Sequence, residues 1–119
     1  LENKFKAFIV WLILNGKTEK ALKLLAEHYN VNAPKIKIGL PKGRKKNTLG
    51  CYVAKMETIF VYHNDVLKEP YIILHEFYHH LRTGVDKSHK GTEKHASKFA
   101  KEFIEAYREM KTSIFKDME

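Results

Sequence analysis

With 119 residues, 44% of them hydrophobic and 30% charged, the chain has the length and composition of one ordinary soluble globular domain with a modest core. Its longest apolar run, Phe8 to Leu14, falls far short of the ~20 residues of a membrane span and lacks the small-residue cleavage site of a signal peptide. The single cysteine, Cys51, excludes an internal disulfide, favours a cytoplasmic setting and leaves nitrogen and oxygen ligands for any metal.

In chain order, residues 2–15 read as a very hydrophobic helix with Phe5, Phe8, Ile9 and Leu12 on its stripe, ended by Gly16. Thr18 suits the N-cap of a second helix to about Tyr29, carrying Leu22, Leu25, Ala26 and Tyr29 on one face. Asn30, Asn32 and Pro34 break it. Residues 35–39 alternate, with Ile36 and Ile38 on one side, and predict a strand. Residues 40–48 form a loop with Pro41 and a basic cluster, Lys42, Arg44, Lys45 and Lys46, around Gly43. This cluster stands out from a net charge of +8 otherwise spread along the chain. Residues 49–55 and 57–63, rich in Val, Ile, Thr, Tyr and Phe, predict an antiparallel hairpin, with Cys51 a small buried hydrophobe.

Pro70 suits the first position of a third helix, with Asn64 and Asp65 before it and Gly84 in the C′ place. Leu74, Phe77, Tyr78 and Leu81 should form its buried face. Residues 84–91 read as a loop. Thr92 then caps a helix to about Met110 with Ala96, Phe99, Ala100, Phe103, Ile104 and Tyr107 inward, followed by a mixed tail, residues 111–119. The expectation is a single α+β domain over residues 1–119, with helices packed on one face of a small antiparallel three-stranded sheet.

The third helix carries His75-Glu76-Phe77-Tyr78-His79. Residues i and i+4 of a helix lie about 40° apart around it and about 6 Å apart along it. Both imidazoles can therefore reach one Zn²⁺ at about 2.0–2.1 Å. Glu76, on the adjacent strip, misses the metal yet lies close enough to take a proton from an attacking water. The competing reading is a pair of surface histidines on an amphipathic helix. Zinc needs a third protein ligand, and Glu93 and His95 are the candidates on the next helix. They stand about 200° apart around it, so both cannot face one ion. His80, adjacent to a ligand, reads as a solvated or capping residue, and His63 and His89 lie at a strand end and in a loop.

Thr92-Glu93-Lys94-His95-Ala96, with Phe99-Ala100 beyond, resembles the gluzincin metallopeptidases, in which a glutamate three residues before a small residue completes the HExxH site. The match extends to the integral-membrane gluzincins that process prenylated proteins. Size and element order look most like the minigluzincins, small single-domain peptidases of thermophilic prokaryotes. Abundant Lys and Glu with one Cys are compatible with a thermophile. The resemblance is strongest from about Gly50 to Phe103. It implies a zincin-like fold, a zinc endopeptidase with Glu76 as general base, and His95 as third ligand. The Ala96 spacing points instead to Glu93, and the balance of cues leans to His95. The resemblance also implies a substrate strand added to the 49–63 hairpin, and latency imposed by the C-terminal segment. Asp117 and Glu119 would approach the metal and Ile114 and Phe115 would fill the cleft, within one chain or by exchange of the segment in a homodimer. The alternative expectation is a basic nucleic-acid-associated or protein-binding module, the HExxH site either serving a peptidase that acts beside DNA or being vestigial.

Overall fold

The structure, a computed structural model, describes residues 2–43, 48–83 and 92–118, with backbone alone for residue 92 and residues 113–118. In chain order come α1 (Asn3–Leu14), α2 (Thr18–Tyr29), β1 (Lys35–Ile38), β2 (Gly50–Val53), β3 (Thr58–Val61), α3 (Pro70–Arg82) and α4 (Thr92–Met118). Short 3₁₀ turns, Ala54–Met56 and Asn64–Lys68, lie between β2 and β3 and before α3.

The helix boundaries follow local chemistry. Gly16, at φ 77°, closes α1. Its N–H donates to Ile13 O at 3.1 Å and that of Lys17 to Leu12 O at 2.8 Å, the paired bonds of a Schellman ending. α2 stops where Asn30 turns left-handed at φ 56° and Val31 N–H returns to Ala26 O. Pro70 occupies the start of α3, where its missing N–H costs nothing. Gly84, the expected C′ residue, lies outside the described residues. Thr18 is not the cap of α2 but its first, buried residue, with Lys17 in the cap position. The Thr18 hydroxyl donates instead to Leu67 O and ties α2 to the turn before α3.

The α+β class holds, and the sheet is mixed. β2 and β3 form the expected antiparallel pair, with Gly50 opposite Val61 and Tyr52 opposite Ile59. β1 departs from the expectation by pairing parallel to β3, Ile36 beside Ile59, so the order is β1-β3-β2. The reason is burial. Thr58, Ile59, Phe60 and Val61 are all buried, so this strand takes the centre and the half-polar β1 takes an edge.

The core joins Ile9, Leu12 and Ile13 of α1 and Leu22 and Leu25 of α2 to Ile59 and Val61 of β3. Ile73, Leu74 and Phe77 of α3 and Ala100 and Phe103 of α4 complete it. Phe8, expected on the buried stripe of α1, is instead 43% exposed and stacks on exposed Trp11. A helix apolar almost all round does not reveal its inner face by periodicity. On α3, Ile73, Leu74 and Phe77 are fully buried, whereas Tyr78 and Leu81 are only partly so.

α4 runs eight residues past the expected end at Met110, because no glycine or proline follows Gly91 to stop it. It packs against both α1 and α3, and buried Ala96, Ala100 and Ala106 permit that close approach. Phe103, buried, meets the Phe99 ring at a tilt with centroids 4.8 Å apart, and Phe99 stacks on Phe77 of α3. Phe103→Ala should therefore cost about 3–5 kcal/mol, read as a lower denaturant midpoint at unchanged slope. A loss below about 1 kcal/mol would place Phe103 outside the core.

Candidate metal centre

α3 sets His75 and His79 one turn apart on the side that faces the start of α4. Their rings meet edge to face at 5.1 Å. From the first turn of α4, Glu93 places one carboxylate against both. Its Oε2 lies 3.0 Å from His75 Nε2 and its Oε1 2.6 Å from His79 Nε2. The three side chains offer donor atoms that all lie within 4.8 Å of one another.

Two imidazole nitrogens and one carboxylate oxygen form a donor set that zinc accepts. Ligand atoms at about 2.0–2.1 Å from a tetrahedral ion stand about 3.3 Å apart. The His–Glu distances, those of direct hydrogen bonds, are a few tenths of an ångström short of that spacing. Exposure gives the centre a direction. The histidine side chains are 13% and 19% exposed and Glu93 is 70% exposed, so the protein shields two donors and solvent reaches the third. A glutamate in the first helical turn also complements the α4 dipole.

His75 Nδ1 is buried and has no hydrogen-bond partner among the described residues. With Nε2 on a metal, Nδ1 carries the proton of the neutral ring. The His75 ring is packed between Tyr71, at 5.8 Å, and His79.

Between the two candidates for third donor, the geometry favours Glu93. His95 is exposed and lines a different surface of α4 with Lys94, Lys98 and Lys101. The lean to His95 is not what this geometry favours. Glu93 stands three residues before buried Ala96 and seven before buried Ala100, on the strip that packs inward, and His95 does not. That strip was the deciding signal in the sequence.

Glu76 lies on the neighbouring strip of α3, toward β2. A Cβ added to Gly50 would stand 3.7 Å from Glu76 Cγ and 2.7 Å from Ile72 Cγ2. The strand therefore approaches this helix closely because residue 50 lacks a side chain. Sequence reading missed that role, although a glycine inside a strand pattern signals such an approach.

His80 is neither solvated nor a cap but buried, at 7% exposure. Its Nε2 lies 2.6 Å from Asn32 O and its Nδ1 2.7 Å from Tyr52 Oη. His63 is exposed and accepts from Asp65 N–H, and it is not among the grouped donors. Cys51 is buried, as expected of a small hydrophobe.

Lys42 is exposed, whereas Arg44, Lys45, Lys46 and His89 lie outside the described residues. So do Glu119 and the side chains of Ile114, Phe115 and Asp117, which carry the expectation of an inhibitory tail. Among the described residues, no helix is long and apolar enough to cross a membrane. No family model, curated protein or solved structure matches this chain. The minigluzincin resemblance rests on the residues quoted for it.

Proposed function

We propose that the chain is a zinc-dependent endopeptidase, with His75, His79 and Glu93 as the metal-holding set and Glu76 as general base. One observation carries this reading. Both histidines of the HExxH turn direct Nε2 at a single carboxylate from the next helix. Zinc held there supplies a Lewis acid for the scissile carbonyl and raises the acidity of water.

The remaining work falls to the chain itself. Glu76, one residue after the first metal-holding histidine, takes the proton of the attacking water and returns it to the leaving amine nitrogen. β2 is the edge strand beside α3, so an extended substrate has main-chain groups to pair with just above Glu76. Pairing of this kind binds backbone rather than side chains and gives broad sequence tolerance. The shielded histidines keep water from competing at their nitrogens, while the open side at Glu93 admits substrate.

The test is hydrolysis of an unfolded polypeptide. Zinc-loaded protein should cut denatured casein into several fragments near neutral pH. A strong chelator should abolish cutting, and added Zn²⁺ should restore it. Zinc-loaded protein that leaves the substrate intact, or cutting that survives full removal of metal, would refute the reading.

A further inference from the structure

β2 touches α3 at two places that keep step. Gly50 lies against Ile72 and Glu76, and Tyr52 meets His80. Ile72, Glu76 and His80 are four residues apart and form one strip along α3, rising about 6 Å per step. Gly50 and Tyr52 share a face of β2 and stand about 6.8 Å apart. Strand and helix therefore advance together, with Glu76 between the two contacts.

His80 makes the second contact directional. Asn32 O can only accept, so His80 Nε2 carries the proton and donates to it. On the neutral ring Nδ1 is then the acceptor, and the Tyr52 hydroxyl donates to it at 2.7 Å. Burial pushes the Tyr52 phenol above its ordinary 10.0, with Glu57 acting in the same sense and the hydrogen bond with Thr83 opposing, so it keeps its proton at neutral pH. The Tyr52 and His80 rings meet edge to face at 5.3 Å, and Phe77 packs on the His80 ring at 5.8 Å. The ring is thus held at both nitrogens and on its flanks, and the strand is tied to it by one hydroxyl.

We infer that His80 is a positioning residue: gripping Asn32 O with Nε2 and the Tyr52 hydroxyl with Nδ1, it fixes the height of β2 over Glu76 and hence where a substrate strand paired to β2 meets the general base. The inference rests on the peptidase reading of the metal centre. It adds a residue outside the HExxH motif that acts through the strand and touches neither metal nor substrate.

Tyr52→Phe removes the donor and keeps the ring. Tyr62→Phe, at an exposed tyrosine just past β3, is the control. Zinc content, KM and kcat on a peptide, and amide hydrogen exchange of each element are compared with those of the wild type. Tyr52→Phe should keep full zinc and lose on the order of five- to thirtyfold in kcat/KM, mostly through KM because strand pairing is a binding interaction. Amides of β2 should exchange faster by a similar factor, while those of α1 and of the control stay as in the wild type. In an active enzyme, an unchanged KM overturns the inference, and so does exchange that rises equally in every element. If the wild type binds zinc but cleaves nothing, the peptidase reading falls by itself. The tie is then judged on exchange, with selective opening of β2 supporting it and unchanged β2 overturning it.

Discussion

Replacing Glu93 with alanine will strip the protein of zinc, whereas His95→Ala will bind it like the wild type. Loss of groups that merely orient metal ligands weakens sites by about 10–100-fold, so loss of a ligand should cost about 100-fold or more. The two histidines left on α3 would not retain the ion through dialysis. Glu93 is 70% exposed, so its contacts with His75 and His79 add little to stability in the absence of metal. Glu93→Ala should therefore unfold within about 1 kcal/mol of wild type, which separates metal loss from unfolding. Elemental analysis of the three proteins, purified without added metal and dialysed against micromolar Zn²⁺, decides the matter. Zinc lost only from His95→Ala would move the third ligand to His95. That would require α4 to turn by about 200° from the packing in which Ala96 and Ala100 are buried.

Glu76→Gln should abolish peptide hydrolysis without affecting zinc content. Glutamine keeps the length and shape of the side chain and removes the basic oxygen. The expected loss is about 10²–10⁴-fold in kcat, the range of a positioned general base. KM should change little, because Glu76 lies beside β2 rather than on its pairing edge. Unchanged hydrolysis by this variant would end the assignment of Glu76. A chain that serves only to bind nucleic acid or protein would be indifferent to the substitution.

Much of this site was legible because its first half is local. HExxH lies within five consecutive residues, and the helical repeat alone puts His75 and His79 on one side and Glu76 on the next strip. The third donor was less legible. Glu93 and His95 have equal claims by residue type, and the choice depends on the phase at which α4 docks on α3. Burial of Ala96, Ala100 and Phe103 sets that phase. His80 was misjudged for a related reason. Its position on α3 implied solvent only as long as nothing was known to cover that strip, and Tyr52 and Asn32 come from 28 and 48 residues away.

By itself the sequence determined the α+β class, the α1 ending at Gly16, the α3 start at Pro70 and the pairing of β2 with β3. These follow from the conformational preferences of adjacent residues and from periodicities repeated over a few turns. Only the tertiary structure decided that β1 runs parallel to β3, that Phe8 faces outward and that α4 continues to Met118. It also decided that Glu93 rather than His95 faces the histidines and that His80 meets Tyr52 of β2. Each of these depends on which surfaces of distant segments exclude water together. A strand's alternation does not name its partner or direction, and a helix apolar on every side does not name its inner face.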